Sequence, residues 1–114
     1  MDTITRYHKI LVDYLSRQAD VDDSASTPDD VRSELVVDTA RRHYQLLFTG
    51  WKDDRYHFFV AIHFAIRNEK IWLLWNRTEL EVTDDLMSMG VPAEDIVLGL
   101  RPPFTRSLTG FAVA

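Results

Sequence analysis

The four histidines of this sequence are its candidate metal ligands, since the chain contains no cysteine. His57 and His63 lie on one face of a predicted strand, but six residues of strand span about 20 Å. Zinc–nitrogen bonds are about 2 Å long, so these two side chains cannot share one ion. His43 could approach His63 across the sheet, but no acidic residue alternates with them. We therefore expect no metal and no other cofactor, and interpret His63 as an interior or interface histidine with a hydrogen-bond partner.

The carboxylates of the sequence are not arranged for catalysis either. A restriction-type nuclease needs an Asp on one strand and a Glu-x-Lys or Asp-x-Lys on the next, around magnesium. The only strand-borne lysine, Lys70, is preceded two residues earlier by Asn68. Two acidic pairs remain, Asp53 with Asp54 and Glu79 with Glu81, and acids beside turns are normally solvated. With no phosphate-binding glycine loop and no nucleophile elbow, we expect no enzymatic activity.

Side chains typical of binding interfaces are better represented, because tryptophan, tyrosine and arginine dominate interface hot spots. The segment 101–104, Arg-Pro-Pro-Phe, combines fixed backbone angles with one bulky anchor, so it would lose little entropy on binding. We take the following as candidate partner-binding residues: Trp72, Arg101, Pro102, Pro103, Phe104 and Arg106.

The elements that must position these residues fit into one domain, residues 1–114. The N-terminus is acidic and amphipathic rather than basic and then apolar, so it does not resemble a signal peptide. The apolar runs are too short to span a bilayer. Together with the missing cysteines, these features predict a cytoplasmic protein with no membrane contact.

A helix is predicted at about 3–18. Ile4, Tyr7, Leu11 and either Tyr14 or Leu15 recur on one face. The acidic stretch 19–30, with Pro28, is interpreted as a solvated loop.

Four strands are predicted at 34–39, 44–51, 56–67 and 70–75. Within the third, the apolar residues alternate strictly: Tyr56, Phe58, Val60, Ile62, Phe64 and Ile66. Short polar connections permit only antiparallel neighbours. Thr83 is a plausible N-cap and Gly90 a plausible stop for a following short helix. We therefore predict an α+β fold: an N-terminal helix, a four-stranded antiparallel meander sheet and short C-terminal helices.

Asn68 and Glu69 suit a two-residue primed turn, which sets the register of the last two strands. The core face would pair Ile66 with Ile71, Phe64 with Leu73 and Ile62 with Trp75. The opposite face would pair Ala65 with Trp72 and His63 with Leu74. Two apolar faces indicate that both are covered, the second either by the tail (Phe104, Leu108 and Phe111) or by a second copy in a dimer centred on Trp72.

Five strings of the sequence carry a family resemblance: HYQLLFTGW (43–51), Ile62-His63, KIW (70–72), MGVPAEDIVLGL (89–100) and TGFAVA (109–114). With these strings the chain resembles the XisI family, the fdxN-element excision controlling factor proteins. The resemblance covers nearly the whole chain, and the last two strings are the most specific. Glu69 departs from the family pattern, which has glycine there, and this concerns only the turn.

The resemblance implies a protein of the type found in cyanobacteria and other bacteria, which acts with a partner, XisH, in developmentally timed excision of a DNA element. XisH resembles a restriction-type nuclease, and the family offers no catalytic residues to carry over. We therefore expect a non-catalytic regulatory protein that binds a XisH-like partner. The alternative is a DNA-binding directionality factor with a basic stripe of Arg41, Arg42, Arg55, Arg101 and Arg106. The net charge of −5 argues against direct nucleic-acid binding but leaves a local basic patch open.

Overall fold

A computed structural model describes residues 1–24 and 30–114 of the chain. Helix α1 (Thr3–Ser24) begins after Asp2, whose carboxylate accepts a 2.7 Å hydrogen bond from the backbone amide of Thr5. This bond is the main reason why the pKa of Asp2 is lowered, because it favours the charged carboxylate. Asp2 therefore acts as the N-cap of α1.

The apolar stripe predicted for α1 is confirmed, and Tyr14 and Leu15 are both buried in it. The predicted end of the helix near residue 18 is wrong, since α1 continues to Ser24. Ala19 still packs against the core, and its carbonyl oxygen accepts a hydrogen bond from the hydroxyl of Ser33. Aspartate is only mildly unfavourable within a helix, so these contacts outweigh the loop-like composition. The rest of the predicted loop, 25–29, lies outside the described residues.

Five strands form one sheet in the order β1 to β5. Their bounds are Arg32–Asp38, His43–Lys52, Arg55–Arg67, Lys70–Asn76 and Ile96–Leu98. The first four form the predicted antiparallel meander. The fifth runs parallel to β4, so the sheet is mixed and the predicted count of four strands is one too few.

The fifth strand depends on a crossover that the sequence pattern does not reveal. Helix α2 (Val82–Ser88) and a 3₁₀ turn (Ala93–Asp95) return the chain to the edge of β4, where Ile96 pairs with Ile71. Such a crossover is what a parallel neighbour requires. Ile96 and Val97 are fully buried, but three residues are too few to show a strand period.

The short C-terminal helices are present, with one local correction. Thr83 lies inside α2 rather than at its N-cap, because the buried Val82 already belongs to the first turn. Glu81 occupies the N-cap and makes no side-chain capping bond. The chain turns away after α2 at Gly90, where φ is +98°, and α3 (Pro103–Arg106) follows β5.

The turn between β3 and β4 has the predicted primed geometry. Asn68 and Glu69 have φ angles of 53° and 59°, both in the left-handed region that such a turn requires. Asp53 and Asp54, with φ angles of 51° and 63°, make the equivalent turn between β2 and β3. Both hairpins are therefore tight, and each fixes the register of its strands at the turn.

The core lies between α1 and the sheet face that packs against it, which we call the inner face. Its largest fully buried members are Tyr7, Leu11, Leu15, Tyr44, Leu46, Ile62, Phe64, Ile71, Leu86 and Ile96. Near the C-terminus, Phe111 packs against this core and the amide of Ala112 donates a 2.8 Å hydrogen bond to the carbonyl of Ile96. None of the helices in the described residues is both long enough and apolar enough to cross a membrane.

Candidate protein-binding surface

A β-bulge in β3 decides which aromatic side chains reach solvent. Leu46 pairs with Ile62, but the next residue, Leu47, pairs with Val60, so Ala61 has no partner of its own. Ala61 and Ile62 are consecutive and are both buried in the core. A bulge of this kind interrupts the two-residue period of a strand. Residues before Ala61 therefore face the opposite way from the prediction.

The reversal moves Tyr56 and Phe58 away from the core. They lie on the sheet face opposite α1, which we call the outer face, while Phe59 packs against the core and stacks on Phe48 at 5.2 Å. The prediction that strict alternation places Tyr56 and Phe58 with Ile62 is therefore wrong. The prediction fails because of the bulge, which lets two consecutive residues share the inner face.

A second irregularity, in β4, exposes another tryptophan. Phe64 pairs with Leu73 as predicted, but the next pair joins His63 to Trp75 and leaves Leu74 as the extra residue. The predicted register is therefore right from the turn to Phe64, and wrong for the predicted pairs of His63 with Leu74 and of Ile62 with Trp75. Trp75 leaves its predicted place in the core and is half exposed.

These shifts assemble four exposed aromatic side chains, which we call the aromatic patch: Trp51, Tyr56, Phe58 and Trp75. Their exposed fractions are 57%, 58%, 66% and 50%. Trp51 and Tyr56 are cross-strand partners with edge-to-face rings 5.4 Å apart. Phe58 follows two residues along β3, and the indole Nε1 of Trp75 donates a 3.0 Å hydrogen bond to the carbonyl of Val60. The patch therefore extends along β3 on the outer face, with Trp51 added from β2 and Trp75 from β4.

Two histidines meet on the outer face, as the sequence suggested they could. His43 lies opposite Ala65 and His63 lies opposite Gln45, so the two imidazoles are diagonal neighbours. Nδ1 of His43 is 3.0 Å from Nε2 of His63. Burial lowers the pKa of His63, and the neighbouring His43 and Arg67 lower it further by repelling a second positive charge.

Trp72, a predicted binding residue, has two guanidinium groups close to its rings. The Cζ atoms of Arg67 and Arg106 are each 5.2 Å from the centre of a Trp72 ring. Arg106 also donates hydrogen bonds to the carbonyl oxygens of Arg101 and Gly99. The tail therefore covers Trp72 through Arg106. The indole Nε1 of Trp72 has no hydrogen-bond partner within the described part of the chain.

The other predicted binding residues project from the C-terminal segment. Residues 101–103 are exposed, and Phe104 and Leu108 expose 81% and 85% of their surface. The three tail side chains predicted to cover the outer face do not do so: Phe111 packs against the core instead, and Phe104 and Leu108 stay exposed. The structure thus brings Trp72 and Arg106 together and leaves Phe104 as a separate apolar tip.

The five arginines of the predicted basic stripe do not form one patch. Arg42 and Arg55 flank opposite ends of β2, whose ten residues span about 30 Å. Arg41 is bound to its own neighbour, since it donates a 3.3 Å hydrogen bond to the carboxylate of Asp38. Residues 30–77 hold eight of the 13 basic side chains but only six of the 18 acidic ones. The acidic excess of the chain therefore lies outside this range.

A depression beside α1 offers no catalytic arrangement. Its volume is about 600 Å³, and it is lined by Thr5, His8, Lys9, Val12, Asp13 and Ser16. The one imidazole in it is already engaged, because Nδ1 of His8 lies 2.7 Å from the hydroxyl of Tyr44. Asp13 forms a 2.6 Å ion pair with Arg17 on the next turn of the helix.

Sequence reasoning missed the aromatic patch as a unit. One signal was available, because Phe58 and Phe59 are adjacent in a strand and neighbouring strand side chains point to opposite faces. One of the two therefore had to face outward. Whether Phe58 or Phe59 faces outward depends on the bulge at Ala61, which no local sequence pattern predicts.

Comparisons with known proteins agree on one family. The sequence profile described as XisI protein matches residues 1–113. A XisI-like protein from Anabaena variabilis is 39% identical, with a TM-score of 0.88 over 97% of this chain and 99% of that one. The fdxN element excision controlling factor XisI from the same organism is 33% identical, with a TM-score of 0.82 over 99% of this chain and 100% of that one. No curated protein sequence shows a significant match.

Proposed function

The chain belongs to the XisI family, and from this premise we propose that it is a cytoplasmic, non-catalytic regulator of DNA-element excision that binds a XisH-like protein. The observation that supports this proposal best is the aromatic patch on the outer face. Four large aromatic side chains are at least half exposed on this sheet face, and exposed apolar patches of this kind can mark protein–protein interaction sites. Tryptophan and tyrosine are also the residue types that dominate binding energy at interfaces.

The charges around the aromatic patch favour a protein as the partner. The hairpin beside Trp51 and Tyr56 carries Lys52, Asp53, Asp54 and Arg55, two charges of each sign. An apolar centre with a mixed polar rim is the usual anatomy of a protein interface. A nucleic acid would instead require an excess of basic side chains at the contact.

The net charge favours a different protein over a second copy of this chain. Two copies with a charge of −5 each repel one another. A XisH-like protein that acts on DNA needs a basic surface, so the net charge of the whole chain, whose acidic excess lies outside residues 30–77, would attract it over distance and speed their association.

A matched pair of phenylalanines tests the proposed surface. Phe58 is exposed on the outer face and Phe104 is exposed at the C-terminal tip, so Phe58→Ser and Phe104→Ser should both fold. We expect Phe58→Ser to weaken binding to the co-expressed XisH-like protein by about 2 kcal/mol, or roughly 30-fold. Phe104→Ser should bind like the wild type. The measurement is calorimetric titration of the purified proteins.

Each other outcome changes the proposal in a defined way. Loss of binding in Phe104→Ser alone would transfer the interface to the predicted segment 101–104. A wild-type chain with no micromolar affinity for the XisH-like protein would overturn the proposal. A gel shift with duplex DNA that weakens steeply with salt would favour the directionality-factor alternative instead.

A further inference from the structure

The contact between His43 and His63 places two imidazole nitrogens close enough to act together as ligands. The two imidazoles come from adjacent antiparallel strands, and the sheet register holds both on the outer face. Nδ1 of His43 and Nε2 of His63 lie 3.0 Å apart. Two imidazole nitrogens at this distance can share a proton or, with the rings turned, act as two adjacent ligands of one cation.

We propose that His43 and His63 chelate one divalent late transition-metal ion, such as Ni²⁺, Cu²⁺ or Zn²⁺, on the outer face. With metal–nitrogen bonds of about 2.0–2.1 Å, two ligands at right angles are about 2.9 Å apart, and two tetrahedral ligands about 3.4 Å apart. The observed 3.0 Å separation lies within this interval. The separation of the two nitrogens therefore already suits the ion, and binding requires that the rings turn until both lone pairs converge on it.

Metal binding by the two imidazoles needs no other reactant and is balanced in protons. In the metal-free contact one imidazole donates its N–H to the other. Metal binding requires a lone pair on both facing nitrogens, so the donor ring must carry its proton on its other nitrogen. No net proton is released when both rings are neutral. Imidazole suits nickel, copper and zinc, whereas magnesium and calcium prefer oxygen ligands.

The expected site is open. No third histidine, aspartate or glutamate joins the pair within residues 1–24 and 30–114 to complete a metal cluster. The protein thus supplies two ligands, and water supplies the rest. Such a site should bind more weakly than a closed structural zinc site, which has four protein ligands.

One neighbouring charge opposes the cation and provides an independent test. Arg67 lies close enough to His63 to disfavour a second positive charge there, although its guanidinium is held over Trp72. Replacing Arg67 with an uncharged residue removes this repulsion without touching either ligand. Arg67→Gln should therefore tighten metal binding severalfold.

The experiment is calorimetric titration of the purified chain with NiCl₂ near pH 7.5. We expect one Ni²⁺ per chain, affinity reduced about tenfold or more in both His43→Gln and His63→Gln, and tighter binding in Arg67→Gln. His57→Gln is the matched control, because it removes the same side chain from the same strand but from outside the pair. Circular dichroism verifies folding, and either ligand variant that folds is sufficient for the test.

Two results would overturn the proposal. One is Ni²⁺ binding of the same affinity in the wild type and in a folded His43→Gln or His63→Gln variant. The other is a wild type that shows no Ni²⁺ binding in the titration, which would mean that the two histidines share only a hydrogen bond. Neither result bears on the proposed binding of a XisH-like protein, which is measured separately without added metal.

Discussion

The hydroxyl of Tyr14 on α1 donates a 2.7 Å hydrogen bond to the carboxylate of Asp85 on α2. The two residues are 71 positions apart in the sequence, so this bond ties the first helix to the crossover that places β5. Tyr7 makes the same type of bond to Asp95, just before β5. Two tyrosine–carboxylate pairs therefore hold α1 against the C-terminal part of the chain.

The first prediction concerns alkaline pH. Burial, and then the bond to Asp85, raise the pKa of Tyr14, and burial with the bond to Asp95 raises the pKa of Tyr7 to about 12. An unfolded tyrosine has a pKa of about 10. The folded state therefore holds these protons more tightly, so the stabilisation is complete below pH 10 and is lost as pH rises from about 10 towards 12. Urea unfolding at pH 8 and pH 10.5 measures the difference.

The variant Tyr14→Phe isolates one of these bonds. At pH 8 it should lower the free energy of unfolding by about 1.5–3 kcal/mol, because one hydrogen bond to a charged acceptor is lost. The free energy of unfolding of this variant should also fall less steeply above pH 10. Tyr56→Phe is the control, since Tyr56 is exposed and its hydroxyl bonds to no carboxylate among residues 1–24 and 30–114. If the free energy of unfolding fell equally above pH 10 in the wild type and in Tyr14→Phe, the Tyr14 hydroxyl would not be a source of the alkaline loss of stability.

The second prediction concerns the turn at Asn68 and Glu69. Glu69 has a φ of 59°, a conformation that costs an ordinary residue about 1 kcal/mol relative to glycine. Glu69→Gly should therefore raise the free energy of unfolding by up to about 1 kcal/mol. Glu79→Gly is the matched control at an exposed position without a positive φ, where glycine should only destabilise. Destabilisation in both variants would show that the turn is not strained.

The third prediction concerns the close approach of two backbone segments at Gly50. A Cβ atom added there would lie 2.3 Å from the carbonyl oxygen of Asp30, and the φ of Gly50 is +137°. Gly50→Ala should therefore lower the free energy of unfolding by about 2 kcal/mol or more. Gly110 also has a positive φ but has nothing within 4 Å of such an atom. Gly110→Ala should cost less in the same urea titration, and equal costs would refute the steric explanation.

The fourth prediction separates two possible centres for a homodimer. The sequence placed such an interface at Trp72, but Arg67 and Arg106 lie over that ring, whereas Phe58 is open to solvent. We expect that any self-association through the outer face is abolished by Phe58→Ser and not by Trp72→Glu. Light scattering at high concentration measures it. A dimer that Trp72→Glu dissociates and Phe58→Ser does not would restore the original interface.

Much of the fold follows from local patterns. The stripe from Tyr7 to Leu15 identified α1, and the polar turns at 52–55 and 68–69 required antiparallel neighbours. The left-handed tolerance of asparagine predicted the turn at Asn68. These features are local because the helical period, the strand period and the turn geometry are each set within a few residues.

The binding surface was decided by tertiary structure. Nothing in the sequence around Ala61 or Leu74 marks a bulge, because either side of each strand carries apolar residues that could fill the core. The choice depends on how the inner-face side chains pack beneath α1 and beside β5, and these contacts span the length of the chain. Residue types alone identified the family and the aromatic content, whereas long-range packing determined that Phe58 and Trp75 face solvent and that His43 meets His63.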